Sequence, residues 1–320
     1  MTMTSESEFV AALLAGLPAD PRLEVPAGDD AAVLRPPAGR RTVVTVDMLM
    51  EGVDFILGPD CSPEAVGHKS LAVNLSDLAA MGGLPEAAVV AVALPRRHGA
   101  EIGRGIQRGI AALAAECGVA LAGGDTNSWD GPLVVSVTAI GSVAPGAAWR
   151  RTGAKVGDLL VVTGPCGGSL LGRHLAVQPR CREAAAIAAG YVVHAAIDVS
   201  DGLSLDVARM MASSGVAAVL DLAAIPIHPD AVRMAAAPGD GRSALEHALG
   251  DGEDFELVLA LPPAEARRLV ADSPGIAAGG SFAIIGEVVE GTGVFAGTAA
   301  GEREPLEVRG FIHALDPTEV

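Results

Sequence analysis

Apolar residues at Phe9, Val10, Leu13, Leu14 and Leu17 recur at helical spacing and predict an N-terminal helix from about Ser5 to Leu17. The run Val43 to Val46 reads as a strand. Ser62-Pro63 joins a capping residue to proline at the first helical position, so a second helix starts there. It is expected to run to Met81 and to end at Gly82-Gly83. Leu71, Leu75 and Leu78 form its core stripe, while Asn74, Asp77 and Met81 share a neighbouring face. An aspartate on so apolar a helix is expected to point into a cleft. Ala87 to Leu94 follows as a strand, Ala100 to Cys117 as a helix closed by Gly118, and Val119 to Leu121 as a short strand into Gly123-Gly124. Leu133 to Val143 alternates as a strand should.

The stretch Ala144 to Val156 is polar and contains glycine and proline, which makes it the expected domain boundary. Domains are accordingly expected at 1–146 and 147–320, the default for a chain of 320 residues. The second half restarts with a strand from Asp158 to Thr163, a glycine-rich turn from Gly164 to Ser169, and a helix. Further strands are predicted at Val193 to Ile197, Val216 to Leu222, Phe255 to Leu261 and Phe282 to Val288, with helices over Leu203 to Ser213 and Pro263 to Ala271. Strands alternate with helices in both halves, so the fold class is α/β (α+β) in two domains.

Composition narrows the function. A formal net charge of −17 and the lack of any Lys/Arg block argue against nucleic-acid binding. Cys61, Cys117, Cys166 and Cys181 are scattered without metal or disulfide spacing, which fits a reducing cytoplasm. Met1 to Glu8 is polar and acidic, unlike a signal peptide. No apolar stretch approaches the roughly 18 residues that span a bilayer, so a soluble protein is expected.

The candidate chemistry lies in aspartates set beside glycines or apolar runs. They are Gly28-Asp29-Asp30, Val46-Asp47, Ser76-Asp77, Gly124-Asp125, Asp198-Val199-Ser200-Asp201 and Gly252-Glu253-Asp254. A carboxylate among apolar neighbours is costly to bury without a positive partner, and only 22 Lys and Arg stand against 39 Asp and Glu. Mg2+ prefers oxygen ligands and bridges carboxylates to phosphates, so the pattern points to an Mg-nucleotide site. Each motif also has a plain reading. Gly28-Asp29-Asp30 suits a turn, Ser200-Asp201 a helix N-cap pair, and Glu253-Asp254 a solvated strand entry. The Gly164 to Gly168 turn lies between strand and helix, where amides hold phosphate, yet no lysine follows and a P-loop is excluded. Arg150, Arg151 and Lys155 suit a triphosphate tail or a solvent-facing linker equally well. The seven histidines, His313 among them, are isolated, and neither a nucleophile triad nor zinc spacing stands out. Phosphoryl transfer needs chiefly positioning and charge neutralisation, and fits best.

Taken in order, these segments resemble the thiamine-monophosphate kinases, within the aminoimidazole-ribonucleotide-synthetase-like superfamily. The match runs from about Gly28 to Val289, and the block Lys69 to Gly82 points to these kinases among the superfamily. The resemblance implies two α/β domains, a homodimer through the N-terminal domains, and ATP in a cleft between domains. It implies Mg2+-assisted transfer of the ATP γ-phosphoryl group to thiamine monophosphate, with the substrate phosphate as nucleophile and no protein general base. Asp30, Asp47, Asp77, Asp125, Asp198 and Asp201 fall on its metal positions, with Thr45 as a hydroxyl and Val46 through its carbonyl. Gly124, Asp125, Arg151 and Ser200 fall on nucleotide positions, and Asp54, Glu253, Val308 and Phe311 on substrate positions. Asp54 departs from the family's usual His, and Val308 stands near an expected aromatic. The alternatives are another ATP-dependent enzyme of the superfamily or a non-catalytic nucleotide-binding scaffold.

Overall fold

The computed structural model describes residues 6–239, 241–274, 282–297 and 302–312. Ser5, at the predicted start of the first helix, and His313 lie outside these residues. The chain divides into two compact units, Met1–Ala148 with Leu175–Cys181, and Trp149–His174 with Arg182–Val320. The returning segment is held in the first unit by His68, whose Nε2 meets Val177 O at 2.7 Å.

The first unit contains α1 (Glu6–Ala15), the two-stranded pair β1 (Leu23–Val25) and β2 (Val33–Leu34), β3 (Arg41–Met50) and α2 (Pro63–Ala80). It continues with β4 (Leu84–Pro95), α3 (Gly99–Cys117), β5 (Ala120–Trp129) and β6 (Val134–Val143). A four-stranded sheet runs β3-β6-β4-β5, antiparallel except for the parallel β4–β5 pair. Ser62 caps α2 by accepting the Ala65 N–H, with Pro63 at its first position as expected. This helix is buried almost all round and packs over β3 and β6. Val44, Val46 and Met48 on the alternate positions of β3 are 58–62% exposed.

Glycine sets the spacing between α2 and α3. A Cβ on Gly67 would stand 2.1 Å from Ile106 O, and one on Gly109 would stand 1.9 Å from Glu64 O. Backbone therefore packs on backbone, closer than any side chain allows. Glycine also explains why β5 continues beyond the predicted Val119 to Leu121. Gly123, Gly124 and Asp125 pair in register with Val89, Val90 and Ala91, and a Cβ on Gly124 would meet Val90 O at 2.0 Å. The glycines at which the predicted strand stopped are where two strands approach closely.

The second unit contains β7 (Leu159–Val162), α4 (Cys181–Gly190, its first residue counted with the first unit), β8 (Ala195–Asp198), α5 (Leu203–Ser214) and β9 (Ala217–Leu220). α6 (Pro229–Ala236), α7 (Ala244–Gly250), β10 (Leu257–Leu261) and α8 (Pro263–Asp272) follow. β11 (Ala283–Val289), β12 (Gly293–Gly297) and β13 (Arg303–Pro305) complete it. Its seven-stranded sheet runs β13-β12-β9-β11-β7-β10-β8, antiparallel but for β9–β12. The apolar strands β7 and β10 are buried at its centre, and β8 lies at the edge. That edge is covered by the incoming chain, because Ala196 N–H donates to Arg150 O at 2.9 Å. The helix expected directly after the glycine-rich turn is replaced by two short 3-10 turns, Ser169–Leu171 and Arg173–Leu175. No helix among the described residues is long and apolar enough to cross a membrane.

Gly67→Ala is expected to destabilise the first unit by about 3 kcal/mol, the upper end of overpacking costs, because the obstructing atom is backbone. Denaturant unfolding of wild type and variant measures it.

Candidate functional site

In the first unit, β3 and α2 bring three of the predicted metal positions together. Alternation along β3 sends Thr45 and Asp47 to one side. Thr45 Oγ1 donates to Asp77 Oδ2 at 2.5 Å, so the one acidic residue late in α2 turns toward β3. Asn74 joins the same contact: its Oδ1 accepts the Asp47 N–H at 3.1 Å, and its Nδ2 donates to Ser70 O at 3.0 Å. The half-buried Asp47 carboxyl is pushed up to about 6, first by burial and then by the negative charges of Asp77 and Asp54. A carboxyl raised by neighbouring negative charge is what a divalent ion relieves. Among the described residues no three His, Cys, Asp or Glu side chains form a metal cage by themselves. A cation here would fill its shell with water and phosphate oxygens, as Mg2+ commonly does.

Asp54 sits in the turn that follows β3. Its Oδ2 accepts the Met50 N–H at 2.7 Å, while its carbonyl accepts from the fully buried Lys69 Nζ at 2.7 Å. The carboxylate thus closes the turn as well as adding charge beside Asp47. Asp30 and Asp125 are exposed and lie outside this hydrogen-bonded set, and Val46 presents its side chain to the opposite face of β3.

A cavity of about 300 Å³ in the same unit was not foreseen from the sequence. Apolar residues such as Leu13, Val90 and Ile106 line it, and Gly124 and Asp125 lie along its wall. Its clue was the α1 stripe, which predicted a helix but not what lies beneath it. Gln107 ties α1 to α3 by donating to Leu13 O at 2.7 Å.

In the second unit, Ser200, Asp201, Glu253 and Phe311 meet at the end of β8 and the start of α5. Glu253 N–H donates to Ser200 O at 2.7 Å, and Phe311 N–H to Asp201 O at 2.9 Å. Asp198 is buried as the last residue of β8, opposite Leu257. Val308 and Phe311 are 41% and 52% exposed. Arg151 is exposed on the segment that covers the β8 edge, where its carbonyl accepts from Ser214 Oγ at 3.1 Å.

Two local readings are corrected here. Ser200 and Asp201 do not cap α5. The N-cap is Gly202, at φ +132°, and Asp206 reaches back so that its Oδ2 accepts the N–H groups of Asp201 (2.9 Å) and Gly202 (3.1 Å). The glycine-rich turn does not offer free amides to phosphate either. Gly167 N–H donates to both oxygens of Asp254 at 2.9 Å, and Gly168 N–H to Asp251 Oδ2 at 2.8 Å. Its anion is the protein's own.

Glu253-Asp254 is accordingly no solvated strand entry. Asp254 is buried and also accepts from Arg173 at 2.6 Å. Burial nevertheless pushes its carboxyl up to about 7, against the pull of Arg173 and the Gly167 amide. The flanking Glu253 and Phe255 both take φ +52°, a strained conformation for side-chain-bearing residues. Turning Asp254 inward is what fixes Glu253 against Ser200.

Comparison with known proteins adds the relatives. Residues 28–143 match the AIR synthase related protein N-terminal domain, and residues 151–297 match its C-terminal domain. A thiamine-monophosphate kinase from Rhodopirellula baltica is 42% identical over 315 residues, spanning 96% of this chain and 97% of that protein. The crystal structure of thiamine-monophosphate kinase from Stenotrophomonas maltophilia superposes with a TM-score of 0.77 at 33% identity, over 93% of this chain and 96% of that one. A structure of AaThiL complexed with AMPPCP and TMP gives a TM-score of 0.73 at 27% identity, over 88% and 90%.

A raised folded-state pKa at Asp254 means that the native protein binds more protons than the unfolded chain between about pH 4 and 7. Its contribution to stability therefore falls as pH rises through that window and is flat above it. The unfolding free energy of wild type relative to Asp254→Asn is expected to decline from pH 4 to 7, as measured by denaturant titration across pH.

Proposed function

The chain belongs to the AIR synthase related protein family and to its thiamine-monophosphate kinases, and on that premise we propose how its residues share the reaction. The activity is ATP-dependent phosphorylation of thiamine monophosphate to thiamine diphosphate. The γ-phosphoryl group passes to an oxygen of the substrate phosphate, already an anionic nucleophile. No side chain need remove a proton, consistent with a sequence that offers no triad.

The observation that carries the metal assignment is the Asp47 carboxyl, raised between Asp77 and Asp54 beside the Thr45 hydroxyl. Asp47 and Asp77 would hold Mg2+ with help from Thr45 and the Val46 carbonyl, and Asp30, Asp125 and Asp198 would serve further ions. Bound Mg2+ supplies neutralisation of the phosphate charge that builds during transfer. Gly124, Asp125, Arg151 and Ser200 contact the nucleotide in this reading. The apolar cavity alongside Gly124 and Asp125 supports a flat heterocycle there.

Asp54, Glu253, Val308 and Phe311 receive thiamine monophosphate. Three offer fitting chemistry, each in its own unit: Asp54 and Glu253 a negative charge for a cation such as thiazolium, and Phe311 an exposed aromatic face. The lysine-anchored turn keeps Asp54 at the end of β3, in the same unit as Asp47 and Asp77.

The exposed apolar row Val44, Val46 and Met48 supports a homodimer through the first unit, since such a row on a sheet face is rarely left to water. Four cysteines outside any disulfide, three of them buried, support a reducing cytoplasm.

Purified protein with Mg-ATP is expected to release ADP only when thiamine monophosphate is added, with thiamine diphosphate identified by mass in equal amount. ADP release without that product would refute the acceptor. Asp77→Asn is expected to lower kcat/KM by about 10²-fold or more, the scale of losing one preorganised electrostatic group, with the melting temperature of the metal-free protein retained. Near-wild-type turnover would remove Asp77 from the metal set.

A further inference from the structure

Asp201 differs from Asp47 in having a cation supplied by the protein. Arg209, in the second turn of α5, donates from Nη1 to Asp201 Oδ2 and, at 2.8 Å, to Asp206 Oδ1. The other oxygen of Asp206 accepts the backbone N–H groups of Asp201 and Gly202. The three side chains and the backbone at Asp201 and Gly202 close a ring. The position is fixed from outside as well: Phe311 N–H bonds the Asp201 carbonyl, and a Cβ on Gly310 would stand 2.7 Å from that carbonyl oxygen. The Asp201 carboxylate therefore cannot swing toward an incoming ion without breaking this frame.

A guanidinium is charged at every working pH, and a second cation on the same carboxylate would meet it as a like charge. We infer that Arg209 takes the place of a divalent cation at Asp201, so that this chain works with one metal fewer than its six aspartates would suggest. The inference rests on the Mg-nucleotide reading above and concerns only how many ions that site takes. Nε and Nη2 of Arg209 have no partner among the described residues, and the side chain is 37% exposed. Its remaining donors can therefore face a phosphate oxygen, delivering through hydrogen bonds the charge that a metal would deliver through coordination.

The test counts ions, with Mn2+ as the probe. Full-length protein is titrated with Mn2+ in the presence of a non-hydrolysable ATP analogue, and bound Mn2+ per chain is obtained from the free-ion spectroscopic signal. Asp201→Asn is expected to leave the count unchanged, and Arg209→Gln to raise it by one per chain. A count that falls by one in Asp201→Asn, or fails to rise in a folded Arg209→Gln, overturns the inference. The Asp201→Asn arm decides alone if Arg209→Gln does not fold. Wild type that binds no Mn2+ with the analogue would remove the metal reading itself and this inference with it, whereas a loss confined to Asp201→Asn touches the inference only.

Discussion

Like charges held close by backbone, rather than by flexible side chains, govern the first unit. Asp47 cannot retreat from Asp77 because β3 is paired with β6 along its whole length, from Arg41 opposite Val143 to Met50 opposite Val134. Asp77 cannot retreat because α2 is seated against α3 at glycine contacts that leave no slack. The repulsion is thus stored in the fold, with Thr45 and Asn74 only fixing its geometry. On the proposed Mg2+ reading, the cost of this arrangement is met during folding and a bound cation would relieve it.

The second unit answers the same problem differently. Three of its buried carboxylates have a positive or N–H partner drawn from the chain itself. Asp254 is met by Arg173 and the Gly167 amide, Asp251 by Arg242 and the Gly168 amide, and Asp206 by Arg209 and two amides. Amides that could have held a ligand's phosphate instead organise the loop that carries Glu253. In the second unit the protein's own groups neutralise these carboxylates and the result serves as scaffolding, whereas in the first unit Asp47 stands raised among like charges.

This contrast marks the limit of what could be read from the sequence. Signals that act within a few residues were legible: Ser62-Pro63 and Gly82 bracket α2, Gly118 closes α3, and Asp77 stood out because its helix neighbours are apolar. Partners distant in sequence were not. The acceptors of the Gly167 and Gly168 amides lie more than 80 residues downstream, so a filled anion hole and an open phosphate loop look alike along the chain. The strand into Gly123-Gly124 was predicted too short for a related reason, because the strand that requires a bare backbone there is β4. At Ser200-Asp201 a nearer competitor won: with Gly202 intervening, Asp206 captures the amides from inside the helix. The aspartates carried the candidate site because a carboxylate beside apolar or glycine neighbours is a local oddity, whereas the cavity beside Gly124 is built of residues that pass as core.

The strap that runs over β8 bears on how the chain can be divided. Arg150 lends its carbonyl to Ala196, and a Cβ on Gly153 would stand 2.6 Å from His194 O, so residues 150–153 lie along the outer strand of the large sheet as a partial eighth. An uncovered strand edge is a template for pairing with other chains. A fragment begun just after Arg151 would keep every strand of the second unit and still bare that edge, and would tend to self-associate. The residues that look most like a linker are, in this respect, the sheet's guard against aggregation.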